Sequence, residues 1–154
     1  MERTWTARDA VYRRKVVYTG YFMVFIFFFA TVALLLIGGI IPLLGMGLSA
    51  YGIYATYVRK SYPRVITIDG ESIAFTSYGT KTYTLDKLEM FCVRSDMGGY
   101  QLFVRIGEHD GAKGRFWVTP SFFEDSDELL DEFIALERRV HPDSIIVKRS
   151  RPAK

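Results

Sequence analysis

An uninterrupted apolar and uncharged run occupies residues 16–58, which contain no Asp, Glu, Lys, Arg or His. A charge-free apolar run of about 18 residues or more is typical of one membrane-spanning helix, and this run has room for two. Gly38, Gly39 and Pro42 interrupt the run, and glycine together with proline ends helices and favours turns. The pattern therefore predicts a transmembrane helical hairpin.

The two predicted helices differ in length. The first covers about 16–37 and the second about 43–58. At a rise of about 1.5 Å per residue the second would be about 24 Å long, which is short for a hydrocarbon core of about 30 Å. We therefore expect either that the second helix begins near Ile40 or that the turn lies within the headgroup layer.

Alternating apolar and polar positions replace the continuous run after Pro63, and this period of two predicts antiparallel strands. Asp69-Gly70 is a hairpin turn signal between the first two of them. The predicted strands, about six in number, cover residues 64–68, 72–77, 81–84, 89–94, 100–106 and 115–119.

A helical period follows the last strand. Asp125 and Glu128 form a capping-box pattern at its start. Apolar residues then recur on one helical face, at Leu129, Phe133, Leu136 and Val140. The predicted fold class is therefore α+β: two transmembrane helices, then a small antiparallel sheet of about six strands capped by a C-terminal helix.

Lys and Arg residues flank the apolar run on both sides, and the predicted turn carries no charge. Because Lys and Arg stay on the cytoplasmic side of membrane proteins, both termini are expected in the cytoplasm. Residues 1–60 carry a net charge of +5 and residues 61–154 one of −2. The basic balance therefore belongs to the membrane flanks, and no nucleic-acid partner is expected. The candidate contacts to lipid headgroups are Arg13, Arg14, Lys15, Arg59, Lys60, Lys148 and Arg149.

These boundaries divide the chain into four parts. A cytoplasmic basic segment covers residues 1–15, the transmembrane hairpin 16–58, a cytoplasmic sheet domain 59–141, and a basic C-terminal tail 142–154. The single cysteine, Cys92, excludes an internal disulfide and suits a reducing cytoplasm.

Two segments resemble a known family. The segment Tyr83–Phe91 (YTLDKLEMF) passes from a polar strand through a leucine and two polar residues into an apolar strand, and Trp117–Phe123 (WVTPSFF) leads into the acidic helix. Both resemble the C-terminal domain of YcxB-like bacterial membrane proteins and, more broadly, bacterial pleckstrin-homology-like domains that follow a transmembrane hairpin. The resemblance implies a small curved sheet capped by a helix, held at a bacterial inner (plasma) membrane, and it implies no ligand or active site.

This chain departs from that family in two ways. About six strands are predicted, where such domains usually have seven. No cluster of Lys and Arg marks a phosphoinositide pocket, so the resemblance does not extend to lipid-headgroup binding.

Candidate chemistry is sparse. His109 lies in the glycine-rich loop 107–114 beside two carboxylates, Cys92 lies within a predicted strand, and His141 ends the last helix. None of these has the spacing of a metal site or the partners of a nucleophile or general base. No catalytic residue, metal ligand or cofactor is therefore predicted.

Two groups of residues are candidates for packing or partner contact. Small residues repeat along one face of the second apolar helix, at Gly45, Ser49, Gly52 and Thr56. Such a stripe lets helices approach closely in lipid, so it packs either on the first helix or on a partner or second copy. The aromatic residues Trp117, Phe122 and Phe123 either close the core between sheet and helix or form an exposed patch for a partner.

Three functional hypotheses follow. The leading one is an inner-membrane-anchored binding or scaffold module, not an enzyme. Its sheet edge or helix groove would recruit a protein, or it would be an accessory subunit or homo-oligomer in a membrane assembly. The second is an anionic-lipid-responsive module that uses the basic tail and flanks. The third is an enzyme with its site on the 107–114 loop.

Overall fold

The computed structural model describes residues 2–96 and 100–141. The chain forms two compact units. One contains the chain up to Arg8 together with the chain from Tyr62 onward, and the other contains the residues from Asp9 to Ser61. Each unit is described by itself.

The helical unit consists of two helices, α1 (Asp9–Ile37) and α2 (Ile40–Val58), both long and apolar enough to cross a membrane. Gly38 and Gly39 connect them with φ angles of 70° and 97°. Glycine adopts this left-handed region without the steric penalty that other residues meet, which explains where the hairpin turns. The second helix begins at Ile40, which confirms the first of the two alternatives expected from its length.

The first turn of α2 accommodates Pro42, because the first N–H groups of a helix have no partner within it. The helix α1 begins at Asp9, well before the apolar run. It contains a π-helical turn at Arg13–Val17, and α2 ends in a similar turn at Tyr54–Val58.

Within the described part of the chain, the sheet unit contains seven strands in two antiparallel sheets, so the predicted number of about six is wrong. The four-stranded sheet has the order β1-β2-β3-β4 and the three-stranded sheet the order β5-β6-β7. The strands are β1 Arg3–Thr6, β2 Val65–Ile68, β3 Ser72–Thr76, β4 Thr80–Thr84, β5 Leu88–Ser95, β6 Leu102–Glu108 and β7 Lys113–Val118. The helix α3 (Ser126–Val140) follows.

The strand that sequence analysis missed is β1. It pairs with β2 in antiparallel register, with Thr4 opposite Thr67 and Trp5 opposite Ile66. The pairing continues past the strand, since the Ala7 N–H donates to the Arg64 carbonyl at 2.8 Å. The apolar hairpin is therefore an insertion between two paired strands of one sheet. Part of the segment that was assigned to a basic N-terminal stretch belongs to the sheet unit.

Aromatic rings fill the core of the sheet unit. Phe75 and Phe116 stack with their ring centroids 4.1 Å apart, and Phe133 of α3 meets Phe91 edge-on at 6.0 Å. Leu129 and Leu136 are buried beside Phe133, which confirms the apolar face predicted for the helix. The predicted capping box is not formed, because the Asp125 side chain makes no capping hydrogen bond.

The turn at Asp69-Gly70 joins β2 to β3, as predicted. The Asp69 carboxylate accepts the N–H groups of Glu71 and Ser72 at 2.8 Å and 2.5 Å, and the Ser72 hydroxyl at 3.0 Å. These hydrogen bonds favour the charged form and hold the pKa of Asp69 below its ordinary value, with the Glu71 N–H the largest cause.

This lowered pKa predicts acid sensitivity of the sheet unit. A carboxyl whose pKa is lower in the folded than in the unfolded state stabilises the fold above its unfolded pKa, about 3.9, and loses that effect as the pH falls through the folded pKa. We expect Asp69→Asn to flatten the acid limb of a stability–pH profile measured by urea unfolding. Asp127→Asn, an exposed change on α3, is the control, and an unchanged acid limb in Asp69→Asn would contradict the assignment.

Candidate functional site

The outer face of the three-stranded sheet collects cationic and aromatic residues. Inward positions of β6, such as Val104 and Ile106, are buried, so the alternate positions face outward. Cross-strand register arranges these outward positions in three rows. The rows are Met90–Gly107–Lys113, Cys92–Arg105–Arg115 and Arg94–Phe103–Trp117. We call these nine positions the outer face.

The outer face contains four cations and no carboxylate: Arg94, Arg105, Lys113 and Arg115. Within the part of the chain that the structure describes, none of the four has an ion-pair partner. Other cations of the unit do, since Arg3 contacts Glu128 and Glu132 at 3.0 Å and 2.6 Å. The outer face is therefore a concentrated positive surface.

Arg105 occupies the centre of this surface. Its Nε is buried and makes no hydrogen bond to any described residue. Arg115 lies directly opposite on β7, so two like charges are cross-strand neighbours. Such a pair destabilises a sheet. One row away, the Phe103 and Trp117 rings pack with centroids 4.6 Å apart. The face thus combines an unfavourable charge arrangement with an aromatic pair.

The outer face is not apparent from the sequence, because its four cations come from three strands. The sequence does carry one indication of this face, since outward residues alternate along each strand. These residues are Cys92-x-Arg94, Phe103-x-Arg105 and Lys113-x-Arg115-x-Trp117. Only the pairing register places these short patterns side by side.

Two sheet edges differ in their exposure to a partner. The β5 edge faces α3, since the Phe91 N–H donates to His141 Nε2 at 3.4 Å and the Val93 N–H to Glu137 Oε1 at 3.5 Å. Glu137 is only 3% exposed. The helix therefore covers this edge with side-chain acceptors.

The β4 edge is exposed. The Thr84 N–H donates to Glu108 Oε1 at 2.5 Å, whereas the next N–H, that of Leu85, donates to the Glu71 carbonyl. Because N–H groups alternate in direction along a strand, those of Thr80 and Thr82 point away from β3, as the Thr84 N–H does. Thr80 and Thr82 are exposed. This edge presents backbone donors that the sheet does not use.

The loop at 107–114, as the structure describes it, does not bring together a group of catalytic or metal-binding side chains. Glu108 is buried, and its carboxylate accepts the Thr84 N–H. Burial of the Tyr83 hydroxyl, together with the nearby Glu108 carboxylate, raises the pKa of Tyr83. Asp110 accepts the Ala112 N–H at 3.2 Å, and His109 is exposed. Among residues 2–96 and 100–141, no group of three His, Cys, Asp or Glu is placed to hold a metal ion.

The three aromatic candidates separate in the structure. Phe123 is 2% exposed and forms a bridge with Ala7, so it packs in the core of the sheet unit. Phe122 is half-buried and its carbonyl accepts the Arg8 N–H. Trp117 lies on the outer face.

The small-residue stripe of α2 contacts α1. A Cβ added at Gly45 would lie 3.6 Å from Ala30 Cβ, and one added at Gly52 would lie 3.0 Å from Met23 Cγ. The other two members, Ser49 and Thr56, are buried, and the Ser49 hydroxyl donates to the Gly45 carbonyl at 2.7 Å. These positions favour packing within the chain over docking of a second copy.

The predicted headgroup contacts lie at the base of the hairpin or beyond the structure. Arg13, Arg14 and Lys15 are exposed in the π-helical turn of α1, and Arg59 and Lys60 follow α2 half-buried. Lys148 and Arg149 lie outside the described residues.

Comparison with known proteins identifies no relative: no family model, no curated protein and no solved structure matches the chain. The proposed function therefore rests on the fold, the β4 edge and the outer face.

The contact at Gly52 can be tested. Gly52→Leu would force a side chain into Met23, and overpacking of this kind costs about 1–3 kcal/mol. We expect a lower thermal unfolding midpoint for the helical signal in detergent micelles, measured by circular dichroism. Gly47→Leu is the matched control, because a Cβ there meets nothing within 4 Å. Equal shifts for the two variants would show that the stripe does not pack on α1.

Proposed function

We propose that this protein is a binding module anchored in the bacterial inner membrane. In this proposal α1 and α2 span the membrane, both termini are cytoplasmic, and the sheet unit recruits a protein partner or acts as an accessory subunit of a membrane assembly. The role is one of binding, without a catalytic step or a cofactor.

The observation that carries the proposal is the insertion of the apolar hairpin between β1 and β2. These strands pair residue by residue, so the chain before α1 and the chain after α2 belong to one folded unit. A unit built in this way supports a topology in which both ends of the hairpin lie on the same side of the membrane. The Lys and Arg residues at both ends support the cytoplasmic side.

The exposed β4 edge supports recruitment. An extended peptide that adds to a sheet edge gains affinity from main-chain hydrogen bonds, and the outward N–H groups of Thr80 and Thr82 are suited to that role. At the opposite end of the same sheet, Ala7 and Arg8, which directly follow β1, contact the chain at 122–123. A partner strand is therefore proposed to add at β4.

The relation to YcxB-like and pleckstrin-homology-like proteins is part of the same proposal. Seven strands in sheets of four and three, followed by a helix, agree with what that resemblance implies. The seventh strand also removes the departure in strand number that the sequence suggested.

Strand addition at β4 predicts a selective effect of proline. Thr82→Pro removes an outward N–H that the sheet does not use, and proline is tolerated at such edge positions. Loss of one backbone hydrogen bond, worth about 1.5 kcal/mol at most, corresponds to roughly tenfold weaker binding. We expect a protein that co-purifies with the tagged chain from native membranes in mild detergent to fall about tenfold with Thr82→Pro.

Thr82→Ala is the matched control, because it shortens the side chain and keeps the N–H. It should retain the partner at the level of the natural chain. Equal recovery with proline and alanine would exclude strand addition at β4. Purification of the chain alone, as a monomer, would count against recruitment altogether.

A further inference from the structure

We infer that the outer face of β5, β6 and β7 binds the anionic headgroups of membrane phospholipids. This goes beyond protein recruitment at β4, although it rests on the proposed membrane anchoring. It also differs from the headgroup contacts predicted from sequence, which lie at the base of the hairpin and in the C-terminal tail.

The arrangement of charge on the outer face calls for an external anion. Arg105 and Arg115 are directly opposed, and the nine positions of the face include no carboxylate to separate them. The sheet unit does not lack acidic residues, since α3 carries Asp127 and Glu128 in its first turn. Folding alone gains nothing from four clustered cations, whereas a surface of phosphate groups would compensate all of them.

The buried Arg105 Nε points to the same class of ligand. Burial of a polar atom without a hydrogen bond costs free energy, which the remainder of the fold must offset. A guanidinium binds phosphate through several N–H groups in a planar fork, so the remaining N–H groups of Arg105 are suited to a phosphodiester.

The aromatic pair distinguishes a lipid surface from a soluble acidic protein. Trp and Phe beside Arg and Lys are typical of surfaces that lie in the interface between water and lipid. Trp117 and Phe103 are half-buried and form a tilted ring pair on the same face as the cations. The face is also formed by three neighbouring strands of one sheet, which suits an extended surface better than a single peptide.

Chain connectivity makes a membrane the nearest anionic surface under the proposed anchoring. The strand β1 ends at Thr6, shortly before α1 begins at Asp9, and β2 begins at Val65, shortly after α2 ends at Val58. With such short connections, headgroups are present at a high effective concentration, and weak individual contacts are sufficient.

The test uses tryptophan fluorescence of the full-length chain reconstituted in vesicles. The protein has two tryptophans, both in the sheet unit, and Trp5 is buried in the core. A phospholipid brominated near its headgroup therefore quenches mainly Trp117 when the outer face meets the membrane. We expect strong quenching in phosphatidylcholine mixed with phosphatidylglycerol at roughly two to one, weak quenching in phosphatidylcholine alone, and reversal by high salt.

Two double variants separate the outer face from general charge. Each cation near an anionic surface contributes about fivefold, so Arg94→Gln with Arg115→Gln should reduce the docked-to-free ratio roughly 25-fold. Both residues are exposed, and their removal relieves repulsion, so folding is retained. Arg138→Gln with Arg139→Gln removes the same charge from the exposed end of α3 and should leave quenching unchanged.

Several outcomes would overturn the inference. Equal quenching in neutral and anionic vesicles would exclude headgroup recognition, and so would equal losses in the two double variants. If polyglutamate shields Trp117 from acrylamide while anionic lipid does not quench it, the face binds an acidic protein segment instead. A chain that fails to float with vesicles would refute the anchoring itself, which is a separate failure.

Discussion

The antiparallel pairing of β1 with β2 is the interaction on which the rest of the structure depends. It joins two short segments that are separated by roughly 60 residues of chain, including the hairpin. Closing so long a loop has an entropic cost that a few strand hydrogen bonds only partly offset. The helical unit lowers that cost. Contacts of Gly52 with Met23 and of Tyr57 with Gly20 pack the helices antiparallel, so Asp9 and Ser61 lie at the same end of the hairpin. Hairpin packing and strand pairing therefore reinforce each other.

The consequences of this pairing extend through the sheet unit. Once β1 occupies one end of the four-stranded sheet, β4 forms the edge at the other end. Trp5 and Ala7 then enter the core, and Ala7 meets Phe123 just before α3. The helix in turn covers the β5 edge through Glu137 and His141. The β4 edge and the outer face are the two surfaces of the sheet unit for which binding roles are proposed.

Patterns within one segment of sequence predicted the elements that depend on that segment alone. The charge-free run predicted two long apolar helices, because nothing but continuous apolarity is needed to recognise them. The period of α3 predicted the buried positions Leu129, Phe133 and Leu136, and Asp69-Gly70 predicted the turn between β2 and β3. The strand at Arg3–Thr6 was missed, because four residues carry little pattern and their partner is far away in sequence.

The outer face was missed for a related physical reason. Arg94, Arg105 and Arg115 are neighbours only through cross-strand register. This register depends on the bulge near Leu88 and on the connections between the three strands. A sequence shows which residues alternate within one strand, but the row in which two strands meet depends on the fold as a whole. Phe123 shows the converse case, since its aromatic side chain gave no indication of whether it was core or surface until its bridge to Ala7 was known.

The pairing of β1 with β2 across the hairpin is tested most directly by a disulfide. Thr4 and Thr67 are cross-strand partners, and their hydroxyl oxygens are 3.3 Å apart. Directly opposed residues have Cα atoms about 4.5–5.5 Å apart, within the range that a disulfide bond spans. In a Cys92→Ser background, the pair Thr4→Cys and Thr67→Cys should oxidise readily in isolated membranes, so a maleimide mass tag adds nothing until reductant is supplied. The control pair, Thr4→Cys and Thr82→Cys, lies in the same row three strands apart, about 14 Å, and should remain reduced and tagged. Equal tagging of both pairs without reductant would show that β1 does not pair with β2, and the proposed anchoring would lose the observation that carries it.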